Sequence, residues 1–155
     1  MISPRTEQVL NRAMQIAVHY RHEYFTVEHV FLSFLAEQPI REALDACSAD
    51  VEALRSELER FVEKEIHPSH RREPPLATLG VQRLIQRALF QVQSSGKEEI
   101  MPEDLLVALF QARETMALYL LQKQGIDRVD VVSFLSHGNP AASGPEAELN
   151  SESDE

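Results

Sequence analysis

Cysteine is nearly absent from this sequence. Cys47 stands alone among 155 residues, so no intramolecular disulfide can form, and a reducing compartment suits the chain. Its setting, Ala43-Leu44-Asp45-Ala46-Cys47, is apolar and helical in pattern, which reads as a small buried hydrophobe and not as a reactive thiol. Long apolar runs are missing as well. Nowhere do about 18 apolar residues follow one another, which excludes a membrane-spanning helix. The opening Met1-Ile2-Ser3-Pro4-Arg5 lacks the basic flank and apolar stretch of a signal peptide, so the cytoplasm is the expected location.

Positive charge is scarce. Fifteen Lys and Arg face 25 Asp and Glu, for a net charge of -10, and no basic patch is interleaved with aromatics. Such a surface repels nucleic acid. Glycine numbers only five. Gly96-Lys97 resembles the end of a phosphate-binding loop, but no glycine-rich run precedes it, and no dinucleotide fingerprint is present. A strained serine elbow is also lacking. The expectation is a binding module without catalysis and without a nucleotide cofactor.

What is present is a real core composition and a duplication. With 43% hydrophobic residues the chain can bury a substantial interior, and its length suits one domain. Shifting the sequence by about 75 positions lays residues 9–35 on residues 84–110 without a gap, apolar position on apolar position. Val9-Leu10-Asn11-Arg12-Ala13-Met14 falls on Leu84-Ile85-Gln86-Arg87-Ala88-Leu89. Each copy reads as four helices, from three- and four-residue apolar steps bounded by capping residues.

In the first copy Ser3-Pro4 opens a helix, Thr26 caps the second, and Pro39 ends that helical region. Ile40 to Cys47 forms the third, and Asp50 caps a fourth running to about Lys64. In the second copy Thr78, Pro102, Thr115 and Asp127 open helices. Gly125 stops the third, in the position that favours a left-handed cap, and the last ends at Ser136-His137-Gly138. No alternating strand segment is found. The predicted fold is all-α, a tandem pair of four-helix repeats (about eight helices) related by a pseudo-twofold axis. Repeat one covers 1–66, a proline-rich linker 67–77 and repeat two 78–138. Residues 139–155, acidic and with one leucine, are expected to be a disordered tether.

Two clusters invite chemistry. His19, His22, Glu23, Glu28 and His29 lie close in sequence and invite a metal reading, although no zinc-type ligand spacing is present. The loop–helix junction His22-Glu23-Tyr24-Phe25-Thr26-Val27-Glu28-His29 also reads as an acidic rim. There Glu23 and Glu28 would offer carboxylates to a partner's Lys or Arg.

That junction, preceded by Arg21, closely resembles the first-repeat motif of the Clp N-terminal domain, the double module preceding the rings of Clp protein-unfolding ATPases. Four further stretches resemble the ClpA type: Arg41-Glu42-Ala43-Leu44-Asp45-Ala46-Cys47-Ser48, Gln82-Arg83-Leu84-Ile85-Gln86-Arg87-Ala88, Val92-Gln93-Ser94-Ser95-Gly96-Lys97 and Val131-Val132-Ser133-Phe134-Leu135-Ser136-His137-Gly138. The resemblance implies a monomeric docking domain on a flexible linker above a hexameric ATPase that feeds the ClpP peptidase. It implies binding of the adaptor ClpS and of protein substrates, with adaptor contacts at Glu23, Glu28, Thr78 and Arg83. It also implies zinc at His22 and Glu63, and ATP only in modules that lie outside this sequence. The alternative is a stand-alone Clp-repeat regulator of the unfoldase–peptidase complex.

Overall fold

The computed structural model describes residues 1–70 and 72–138, so the expected tether 139–155 lies outside the described residues. Capping chemistry sets most helix starts. The Ser3 hydroxyl accepts from the Thr6 N–H at the start of α1 (Pro4–His19), with Pro4 in the first turn, where a missing N–H costs nothing. Thr26 opens α2 (Val27–Phe34), Asp50 α4 (Val51–Lys64), Thr78 α5 (Leu79–Ser94) and Thr115 α7 (Met116–Lys123), each accepting from a first-turn N–H. For α6 (Pro102–Leu109) the direction reverses: the Asp104 carboxylate accepts from the Met101 N–H at 2.8 Å.

Two boundaries differ from expectation. Pro39 does not end α2; it sits in the first turn of α3 (Gln38–Ala46), a position that needs no proline N–H. Asp127 precedes α8 (Arg128–His137) but makes no side-chain cap bond. Gly138 closes that helix at φ 80°, where the expected end falls, in a left-handed conformation open to glycine.

A third difference is small in extent and large in consequence. Two short strands, β1 (Tyr24–Phe25) and β2 (Leu76–Ala77), pair in parallel, Tyr24 opposite Leu76 and Phe25 opposite Ala77. Strands of two residues are too brief to leave an alternating signature. An isolated parallel bridge joins Ile2 to Ile100 in the same way. Adding 75 to Ile2 gives Ala77, and adding 75 to Phe25 gives Ile100. Each copy therefore lends the residues before its first helix to the loop before the other copy's second helix.

The helix contacts obey the same exchange. α1 packs on α2 as α5 packs on α6, and α2 meets α7 and α5 as α6 meets α3 and α1. α4 lies on α7 as α8 lies on α3. The predicted pseudo-twofold is present, and the copies interlock across it. Core residues repeat in register: Val9, Ala13, Ala17, Phe31 and Phe34 correspond to Leu84, Ala88, Val92, Leu106 and Leu109, all essentially inaccessible. Each large member contributes about 1.5–3 kcal/mol by burial. Cys47 is half-buried against this core, and burial, then the charge of Asp130, pushes its thiol pKa up. A thiol in that setting is a poor nucleophile. No helix among the described residues is long and apolar enough to cross a membrane.

Candidate docking surface

The junction between α1 and α2 is built on two histidines. The Thr26 N–H donates to His29 Nδ1 at 2.9 Å, so that nitrogen carries no proton. His29 Nε2–H must then donate to His22 Nδ1, 2.9 Å away, and His22 Nε2–H donates to the Ile66 carbonyl at 3.0 Å. Both rings are buried and neutral in this chain. Burial, then the neighbouring His22, pushes the His29 pKa down to about 4; burial lowers that of His22. His29 thus takes the place that Glu or Gln holds in a capping box, and it ties the start of α2 to the end of α4.

This arrangement does not fit the zinc expectation. Both ring nitrogens of His22 are already engaged in hydrogen bonds, whereas zinc binds a free imidazole nitrogen and needs three or four ligands. Glu63 is exposed on α4, where with Glu59 it adds to the effect of burial in raising the Tyr20 pKa. Tyr20 stacks on His22, and His19 packs on Tyr20 in a T-shaped contact, so the tyrosine ring touches both histidines. Among the described residues no three His, Cys, Asp or Glu side chains gather as a metal site.

The four expected contact residues separate into two groups. The strand pair brings the backbone at Glu23 beside the segment that leads into Thr78 and, further along α5, Arg83. The Leu76 N–H donates to the Glu23 carbonyl at 3.1 Å, and the Thr78 N–H donates to the Phe25 carbonyl at 3.2 Å. Arg83 follows from Thr78 along α5 and is exposed. Glu28 turns the other way. It is 6% exposed, and its Oε2 accepts from the Ala117 N–H at 3.0 Å, in the first turn of α7 in the other repeat. The expected carboxylate at the rim is therefore a helix cap between repeats, because an orphan N–H at a positive helix end holds it more firmly than water does.

Sequence reasoning missed the apolar part of this face. Tyr24, Leu76 and Leu79 are 44%, 54% and 58% exposed, and Tyr24 and Leu76 are register partners across the strand pair. Scattered single residues gave no signal until the strands placed them side by side. Beside them, a cavity of about 670 Å³ opens between α5 and the α6–α7 connection, lined by Val27, Gly80, Arg83, Arg87, Phe110 and Arg113 among others. This surface therefore carries exposed apolar side chains near an arginine-lined cavity.

Comparison with known proteins identifies the family and the fold. The family model of the Clp repeat N-terminal domain matches residues 1–124, and the chain belongs to that family. It is 37% identical over 139 residues to a ClpA homolog protein of Fuscovulum blasticum, covering 88% of this chain and 18% of that relative's length. Among solved structures, the Hsp104 N-terminal domain of Candida albicans superposes with a TM-score of 0.76 at 11% identity, over 90% of this chain and 93% of that one. The ClpV N-domain of Vibrio cholerae superposes at 0.74 and 14% identity, over 87% and 82%. A ClpV N-domain solved in complex with a VipB peptide superposes at 0.68 and 15% identity, over 88% and 85%. At these identities the superpositions establish the shared fold.

Proposed function

We propose that the chain serves as the adaptor- and substrate-docking N-terminal domain of a ClpA-type unfolding ATPase, receiving a ClpS-type adaptor on the face formed by Glu23, Thr78 and Arg83. The observation that supports this reading is the strand pair, which joins the Glu23–Phe25 segment to the segment leading into Thr78 and α5 and leaves Tyr24 and Leu76 exposed as register partners. The 37% identity to a ClpA homolog supports the ClpA assignment. A related N-domain with a peptide bound supports docking as the task of the fold. On this reading the domain does no chemistry of its own and is monomeric in isolation. It works in the cytoplasm above a hexamer that hydrolyses ATP elsewhere and passes unfolded chain to a ClpP peptidase. Glu28 acts from behind the face, by holding α7 against α2.

Exposed ion pairs contribute only about 0.2–1 kcal/mol each, so the apolar pair must supply part of the affinity. Reversing one charge replaces attraction with repulsion. Glu23→Lys is expected to weaken binding of a ClpS-type adaptor by about fivefold, with the melting temperature nearly unchanged. Isothermal titration calorimetry checks it. An unaltered dissociation constant would remove Glu23 from the interface.

A further inference from the structure

The two repeats treat one carboxylate differently. In repeat one Glu37 follows α2, and its side chain receives two arginines. Arg5 Nη2 lies 3.0 Å from Glu37 Oε1, and Arg12 Nη1 lies 3.7 Å from Oε2. Its backbone N–H donates to the Phe34 carbonyl at 3.0 Å. In repeat two the Ala112 N–H donates to the Leu109 carbonyl at 2.9 Å, so the 75-residue register still holds here. Glu37 therefore corresponds to Ala112, Arg12 to Arg87, and Arg5 to Gly80.

The acid and one arginine have become alanine and glycine, and the cavity of about 670 Å³ lies where they would be. Gly80, Arg87 and Ala112 all line it. Arg83 and Arg113 join Arg87 there, with Glu114 the acidic group on the lining. Among the described residues Arg83, Arg87 and Arg113 have no ion-pair partner, in a chain where acids outnumber bases 25 to 15. Three arginines around one cavity, with Arg87 half-buried and Arg83 and Arg113 exposed, outnumber the single acid Glu114 on the lining and favour binding of an external anion.

We infer that this cavity is an open carboxylate site, which takes an Asp or Glu side chain from an acidic segment of a partner protein in the place that Glu37 fills internally in repeat one. The inference rests on the docking reading only in taking this face as an interface. Its main determinants, Arg87 and Arg113, are not among the residues assigned to the adaptor. Val27, Phe110 and Ala112 supply the apolar part of the lining, and the arginines are carried by α5 and by the α6–α7 connection.

The molecule supplies its own test. Ala112→Glu restores the acid of repeat one and should close the site; Arg87→Gln should empty it. The probe is a short fluorescein-labelled peptide of alternating Glu and Ala, followed by anisotropy with the full chain at low salt, with the Gln-for-Glu peptide as control. Binding of the acidic peptide alone is expected, weakened about fivefold to tenfold by Arg87→Gln and abolished by Ala112→Glu. Ala112→Glu should also raise the melting temperature by pairing with Arg87. If that variant fails to fold, Arg87→Gln decides. Absence of peptide binding, or equal binding by wild type and Arg87→Gln, overturns the inference. Glu23→Lys should leave the peptide titration unchanged while weakening the adaptor, so the two readings fail separately.

Discussion

Acidification from pH 6.5 to pH 4 is expected to remove about 3 kcal/mol of folding stability through His29 alone. The ordinary histidine pKa is 6.5, and His29 stands at about 4 in the folded chain. Above pH 6.5 the ring is neutral in both states, and the contribution is complete. Between the two values the unfolded chain takes up a proton that the folded chain refuses. Stability therefore falls as pH falls, and the loss from this group ends near pH 4. The groups facing the ring are His22 and Thr26, with the Ile66 carbonyl beyond His22, and none offers a negative charge to hold an imidazolium. The lowered pKa of His22 acts with the same sign.

Urea denaturation at a series of pH values measures the effect. His29→Gln provides the control, because a glutamine amide oxygen can still accept the Thr26 N–H as in an ordinary capping box. The variant should flatten the profile between pH 6.5 and 5, above the range in which most carboxylates titrate. An identical slope in the variant would mean that the pH dependence arises elsewhere.

The second large effect concerns Glu28. Removing its carboxylate by Glu28→Ala leaves the Ala117 N–H buried without an acceptor and strips a negative charge from the start of α7. A charge-assisted hydrogen bond of this kind is worth about 1.5–3 kcal/mol, and the helix-end term adds up to about 1. The expected loss is about 2–3 kcal/mol, read from the urea midpoint at pH 7. Glu28→Gln keeps an acceptor and should lose only about 1 kcal/mol. A Glu28→Ala variant as stable as wild type would show that the contact holds nothing together. Because α7 belongs to the other repeat, partner binding should weaken in Glu28→Ala only as far as the fold does.

Glu28 also marks the limit of what could be read from residue order. Its position in the first turn of α2 was plain, since Thr26 and the apolar run after it define a helix start. An acid at such a place is equally consistent with capping its own helix, facing a partner or reaching another element. The choice depends on where Ala117 lies, 89 residues along the chain. His22 poses the same problem: a histidine beside acids looks like a ligand until its neighbours are known to occupy both nitrogens. Arg87 was visible as the match of Arg12, but the loss of its acid at Ala112 gained meaning only with a cavity between them.

Sequence alone determined the helices, the duplication and the family, because apolar spacing, caps and a gapless 75-residue register are local or repeated signals that need no partner to be read. Tertiary structure decided how the copies interlock, which acids face solvent, and which residues share a face. Those properties arise from contacts between residues tens of positions apart, such as the strand pair joining Phe25 to Ala77 and the bridge joining Ile2 to Ile100. Two-residue strands and single hydrogen bonds carry too little periodicity to be written in a sequence, yet they set the surface on which a partner must land.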